Sequence, residues 1–129
     1  MTKANVKTVK AKTRIITRGD DATAAYLVLK GTANVLLDRD GRTVKLGDLA
    51  VGAIFGETAL FGGGVYGAHV EAETDMELGV ITPESFAGKI QASDPMLRAI
   101  VEMLIERLRK TNEALLKSET REFMDIALV

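Results

Sequence analysis

From Val6 to Ile81 the apolar residues come in short runs, many alternating with polar ones, and no stretch keeps the three-and-four spacing of an amphipathic helix. The pattern predicts strands near 6–9, 14–17, 24–30, 32–38, 42–46, 67–73 and 76–81. Between them RGDD at 18–21, KG at 30–31, DRDG at 38–41, LGD at 46–48 and TD at 74–75 supply Gly and Asp. Those residues serve turns that need positive φ or a local side-chain bond. After Ile81 the period changes. Thr82 before Pro83 reads as a helix cap with proline at the first helical position, predicting a helix over 83–92. Ser93-Asp94-Pro95 repeats the signal and opens a long helix over 95–123. The expected fold is mainly β with C-terminal helices: a jelly-roll-like β-roll of about eight strands across residues 5–81, then a short and a long α-helix, in one domain over 1–129.

In the long helix Leu97, Val101, Leu104, Leu108, Thr111, Leu115 and Ser118 recur at steps of four and three, a heptad seam with a polar residue at Thr111. Ile100, Met103 and Ile105 widen the apolar surface beyond one stripe. A helix apolar on more than one side needs two partners, here its own β-domain and a second copy of the chain. At about 1.5 Å per residue it would also overhang a domain of this size. Leu97, Val101, Leu104, Leu108, Thr111 and Leu115 are therefore the expected homodimer contacts; the alternative is a helix that packs only on its own barrel.

Composition narrows the chemistry. With no cysteine, disulfides, thiolate catalysis and Cys-based zinc or iron–sulfur sites are excluded, in keeping with a reducing cytoplasm. Residues 1–18 carry Lys3, Lys7, Lys10, Lys12, Arg14 and Arg18 but no apolar leader segment. The longest uncharged run, Thr58 to Val70, is too short and glycine-rich to span a bilayer. A soluble cytoplasmic protein without a membrane partner is expected. The basic start alternates with Val6, Thr8, Val9, Ile15, Ile16 and Thr17, which fits an amphipathic hairpin with a solvated face better than a nucleic-acid contact. No enzyme is indicated. His69 is the one histidine, so an H-x-H metal cluster is absent and a Ser/His/Asp arrangement has no supporting motif. Glu71 and Glu73 share a strand face that reads as solvated. Neither a catalytic residue nor a metal site is assigned.

Charge is unevenly spread. Leu46 to Gly88 holds no Lys or Arg and seven acids, and within it lies FGETALFGGGVYGA, residues 55–68. Three successive glycines, Gly62 to Gly64, suit either a loop whose backbone approaches a ligand closely or a plain flexible turn.

RGD at 18–20, YLVLKGTANV at 26–35, LGDLAVGAIFGETAL at 46–60, then Ala68, Val70, Ala72, Thr74, ITPESF at 81–86 and RLR at 107–109 together resemble the cyclic nucleotide-binding domain, the family of the bacterial catabolite activator and of kinase and channel regulatory domains. The resemblance runs from Val6 to about Lys117 and centres on a phosphate-binding cassette close to F-G-E-x-A-L, five spacer residues, Arg, one residue and Ala. Phe55, Gly56, Glu57, Ala59, Leu60 and Ala68 stand in register with it. The resemblance implies a ligand site at Gly56, Glu57, Thr58, Ala59, Tyr66, Gly67 and Ala68. Glu57 would hold a ribose 2′-hydroxyl, and backbone N–H groups of Thr58, Ala59 and Ala68 would face a cyclic phosphate. No cofactor beyond such a ligand, cAMP or cGMP, is implied.

Tyr66 departs from that pattern, because it stands where the family has its phosphate-binding arginine. One neutral hydroxyl replaces a charged planar fork. Losing one partner of a buried charge-assisted contact costs about 2 to 5 kcal/mol, so cyclic-nucleotide affinity should fall by about thirty to several thousandfold. Rescue would have to come from outside the cassette, for instance from Arg107 or Lys110. The Tyr66 ring is expected to cover the vacant pocket and its hydroxyl to find a polar partner, with Glu57 the candidate. The sequence after the long helix leaves no room for a helix-turn-helix, so direct DNA reading is not expected. Two functions remain: a regulatory, signalling module that senses a small cyclic-nucleotide-like ligand weakly or atypically, or a degenerate ligand-free domain that serves dimerisation or protein–protein interaction.

Overall fold

The computed structural model describes residues 5–62 and 64–116. Its strands are β1 (Val6–Val9), β2 (Arg14–Ile16), β3 (Ala25–Lys30), β4 (Ala33–Arg39), β5 (Arg42–Leu49), β6 (Ile54–Phe55), β7 (His69–Ala72) and β8 (Met76–Ile81). The helices are α1 (Glu57–Gly62), between β6 and β7, and α2 (Pro83–Gln91) and α3 (Pro95–Leu116) after the last strand. Two four-stranded antiparallel sheets form, in the orders β1-β8-β3-β6 and β2-β7-β4-β5. Alternation explains the layering: along β4, Ala33, Val35 and Leu37 are buried and the residues between them are less so. Val28, Met76 and Leu78 of the first sheet join the same buried cluster as Ala33, Val35 and Val70 of the second. Each large side chain so buried contributes roughly 1.5–3 kcal/mol. The fold is the expected mainly β roll with C-terminal helices.

Three boundaries differ from the sequence expectation. LGD at 46–48 is no turn: β5 runs through it to Leu49, and Leu46 is accommodated by a bulge where Val35 faces Gly47 and Leu36 faces Lys45. Ile54–Phe55 adds a strand against Tyr26 and Leu27, too short to show a period in sequence. β7 begins at His69 because the residues just before it pair elsewhere, as described below.

Turn chemistry ties the two sheets together at one end. Gly31 has φ +87°, and a Cβ there would collide with the Asp75 carbonyl, so the β3–β4 and β7–β8 turns approach as closely as backbone allows. Thr32 N–H donates to Thr74 Oγ1 (3.0 Å) and Glu73 N–H to the Thr32 carbonyl (2.9 Å) across that contact. At the other end Thr82 and Ser85 form the reciprocal cap of α2, each side-chain oxygen accepting from the other's N–H at 3.1 and 3.0 Å. Asp94 caps α3 by accepting from Met96 and Leu97 N–H (2.9 and 3.2 Å). The expected continuation of α3 to 123, with Ser118, lies outside the described residues.

Candidate ligand-binding site

The site grows from the β6–α1 junction. The chain leaves β6 at Phe55 and turns at Gly56, whose φ is +82°. A Cβ on Gly56 would lie 3.1 Å from Ile16 Cδ1, 3.2 Å from the Ala24 carbonyl and 3.3 Å from Tyr66 Cε1, so both the turn and the packing require glycine. Helix α1 then starts at Glu57, with Ala59 fully buried beneath it. Glu57 itself is half-buried. Its Oε2 is shielded from water and has no hydrogen-bond partner among the described residues. Burial pushes the carboxyl above the ordinary range, opposed in part by a hydrogen bond from its own amide.

Tyr66 lies 6% exposed, its ring beside Gly56. Its hydroxyl donates to the Ala24 carbonyl (2.5 Å) and accepts from the N–H groups of Ala24 (3.1 Å) and Thr23 (3.2 Å). A phenol has one proton and two acceptor positions, so these three bonds use its whole capacity. The expected partner was Glu57; the main chain takes its place, because the Ala24 polar groups, just outside the β3 ladder, are buried and need bonds that the phenol supplies. Tyr26, stacked on Phe55 with ring centroids 5.3 Å apart, is a neighbour: burial and then the proximity of Tyr66 hold its phenol above the usual range.

The 18–24 segment clasps the cassette by backbone as well. Gly19 N–H donates to the Tyr66 carbonyl (2.9 Å), Tyr66 N–H to the Asp20 carbonyl (3.0 Å) and Ala22 N–H to the Gly64 carbonyl (3.3 Å), and Asp21 bridges Val65. Thus residues 64–66 are committed to this turn before β7 starts. Gly67 and Ala68 are buried in the step that follows. The RGDD turn was legible in sequence; that its carbonyls and amides serve residue 66 was not, because the contact spans more than forty residues and is made by main-chain atoms.

His69 is buried in β7 with its own structural work. Its Nδ1 accepts from Arg18 N–H (3.0 Å), which assigns the ring proton to Nε2, 3.1 Å from Asp38 Oδ2. That bond, followed by one from Thr43, holds the Asp38 carboxyl below its usual range. The histidine is thus a structural strand residue. Glu71 pairs with Arg14 across β2 and β7 (3.7 Å) and Glu73 is within reach of Thr32 (3.5 Å). Among the described residues no three His, Cys, Asp or Glu side chains gather as metal ligands.

Gly56, Glu57, Thr58 and Ala59 are brought together with Tyr66, Gly67 and Ala68 at one end of the roll, and α1 connects them to the C-terminal helices. Phe61 of α1 meets Phe86 of α2 with ring centroids 4.6 Å apart, and α1 packs on α3. Arg107 and Lys110 are exposed on α3. At 100° per residue, Val101, Ile105 and Leu108 form one half-buried face of α3. Met96, Leu97, Ile100, Met103 and Leu104 form a neighbouring face that is 45 to 74% exposed. The heptad seam is therefore divided: Leu97, Leu104 and Thr111 are exposed, Val101 and Leu108 half-buried, and the Leu115 side chain lies outside the described residues. Among the described residues no helix is long and apolar enough to cross a membrane.

Comparison with known proteins agrees with this geometry. Residues 6–93 match the model of the cyclic nucleotide-binding domain. The chain is 31% identical over 129 residues to the cAMP-activated global transcriptional regulator CRP of Haemophilus influenzae, covering 98% of this chain and 56% of that protein. It is 31% identical over 124 residues to the cAMP-activated regulator Vfr of Pseudomonas aeruginosa, covering 92% and 54%. It thus spans about half the length of the curated relatives it matches. Among solved structures it resembles the EAL enzyme Bd1971 in its half-site-occupied form (TM-score 0.79, 28% identity, 83% of this chain and 96% of that one). The catabolite activator protein of Thermus thermophilus superposes with a TM-score of 0.66 at 27% identity, covering 85% and 52%.

Proposed function

Because the chain belongs to the cyclic nucleotide-binding domain family, we propose that it is a non-enzymatic regulatory module that holds a small nucleotide-like ligand weakly, through Glu57 and without a phosphate clamp. The observation that carries this is the saturated hydroxyl of Tyr66: all its hydrogen-bonding capacity goes to Thr23 and Ala24, so the position that should grip phosphate has neither charge nor a free donor. Glu57 supports the ligand half of the reading. A shielded carboxylate oxygen with no hydrogen-bond partner among the described residues is a standing cost to the fold, and a movement of α1 that opened it to a ligand hydroxyl would remove that cost. Relatives named for activation by cAMP make a nucleotide-like ligand the natural class.

The output runs through α1, which carries Glu57 and touches both α2 and α3. A second copy of the chain covers the exposed apolar face of α3, with Leu97 and Leu104 at its centre, giving a homodimer. Calorimetry with cAMP and cGMP at low salt tests the ligand reading. Wild type should bind weaker than micromolar, and Tyr66→Arg should gain at least about tenfold, equivalent to 1.4 kcal/mol. Sub-micromolar binding by the wild type would refute it. If neither protein binds and Glu57→Gln changes no ligand response, the ligand-free interaction domain, with buried Tyr66 filling the site, is the better reading.

A further inference from the structure

We infer that His69 is an acid-sensitive latch on the turn that clasps the cassette: a second proton on its ring breaks the bond to Arg18 and lets residues 18–22 move away from residues 64–66. This goes beyond the ligand reading and does not depend on it. The geometry sets the state of the ring. Arg18 N–H, past the end of β2, donates to His69 Nδ1 at 3.0 Å. Nδ1 accepts only while it carries no proton, so the closed turn requires the neutral imidazole with its proton on Nε2, facing Asp38 Oδ2 at 3.1 Å. A second proton makes both ring nitrogens donors. Two N–H groups then point at each other 3.0 Å apart, and one must leave. The ring stays, because protonation makes its Nε2 bond to Asp38 charge-assisted and His69 is buried in β7 between β2 and β4. Arg18 is exposed, and its N–H can turn to water.

The charge in contact with the ring is Asp38 of β4, which Thr43 of β5 also holds at 3.1 Å. The cations of the neighbouring strands have partners: Arg14 of β2 pairs with Glu71 on β7 (3.7 Å), and Lys45 of β5 with Asp48 (2.6 Å). The turn adds Arg18, whose side chain has an interaction of its own, followed by Asp20 and Asp21. What the proton releases is set by the main chain. Gly19 N–H donates to the Tyr66 carbonyl, Tyr66 N–H to the Asp20 carbonyl and Ala22 N–H to the Gly64 carbonyl. Arg18 stands directly before the first of these bonds, so its hold on His69 fixes where the turn begins. The closed turn binds one proton fewer than the open one, so acid loosens the clasp and base restores it. Residues 64–66 lie just after α1, the helix that packs on α3, and the module thereby gains a proton input.

The test is an NMR titration of the full chain from about pH 8 to 5, the interval in which imidazole exchanges its proton. The ring nitrogens of His69 should report the Nε2–H form at the upper end and the doubly protonated ring at the lower. The Arg18, Gly19 and Tyr66 amides should shift with the same midpoint as the ring. Protection of Gly19 and Tyr66 against exchange should fall by about fivefold or more, the scale of one hydrogen bond, while Val28 and Leu78 in the core keep theirs. His69→Asn, whose side-chain oxygen can accept from Arg18 without titrating, should keep the clasp closed throughout; if it does not fold, the wild-type titration decides alone. An Nδ1–H ring at the upper end, or a ring that stays neutral throughout, would overturn the inference. So would amides whose midpoint differs from the ring's and follows another group such as Glu57, core amides that loosen equally, or an Asn variant whose turn opens in acid as the wild type's does. None of these results bears on cyclic-nucleotide calorimetry, so the latch and the ligand reading fail separately.

Discussion

Replacing Tyr66 with Phe removes one oxygen and keeps the ring against Gly56, so it isolates the hydroxyl. In the folded state Thr23 N–H, Ala24 N–H and the Ala24 carbonyl lose a partner together. Thr23 is exposed, and water can replace its bond at small cost. Ala24 is 6% exposed, so its two groups are stranded, at about 1–3 kcal/mol each. Burying Phe instead of Tyr returns part of that, because the phenol no longer has to be desolvated. The expected net loss is about 2–3 kcal/mol. Urea unfolding at fixed protein concentration should show a lower midpoint with an unchanged slope, which identifies a stability change and not a change in surface exposed. For a chain of this length the melting temperature should fall by about 3–5 °C per kcal/mol, or roughly 10 °C. Amide exchange at Ala24 should accelerate more than at β3 residues further along the strand. A loss under about 0.5 kcal/mol, the scale of a surface substitution, would mean that the hydroxyl is not built into the fold, and the saturation on which the functional reading depends would fail with it.

The buried carboxyl gives a pH test. Glu57 has a folded-state pKa above its unfolded 4.5, so its contribution to stability is full below that value and is lost as pH rises through the higher folded one. Glu57→Gln should remove this slope, so that the variant gains on wild type in unfolding experiments as pH rises above 4.5; parallel curves would contradict the burial. Leu104→Glu puts a charge on each copy's exposed α3 face and should yield monomers in sedimentation, whereas a wild type already monomeric at high micromolar concentration would remove the dimer. Gly56→Ala meets both a left-handed φ and three contacts of 3.3 Å or less, and should cost about 1–3 kcal/mol by urea unfolding. Gly47→Ala, with open space around it and no positive φ, should be close to neutral by the same measurement.

Much of the architecture was legible because it rests on local chemistry. The KG and DRDG breaks mark the ends of β3 and β4, and Thr82 and Asp94 cap the helices that their side chains foretold. Reading failed where local signals conflict with pairing. Gly47 looks like a turn residue but sits in a bulged edge strand, and Ile54–Phe55 is strand only because Tyr26 and Leu27 lie beside it. In the site, the lack of Lys and Arg from Leu46 to Gly88 was visible in the sequence. The destination of the Tyr66 hydroxyl was not, since the backbone atoms of Ala24 carry no residue-specific signature. Glu57 offered a plausible charged partner in sequence, yet in the fold its Oε2 has no hydrogen-bond partner among the described residues.

The bonds from Tyr66 to Ala24 also bear on how the chain can change by mutation. At position 66 the tyrosine serves the scaffold. An arginine arriving there would lose the internal bonds, so that step passes through a less stable protein. A stabilising change elsewhere would have to come first. Tyr66 is therefore easy to keep and costly to replace one residue at a time.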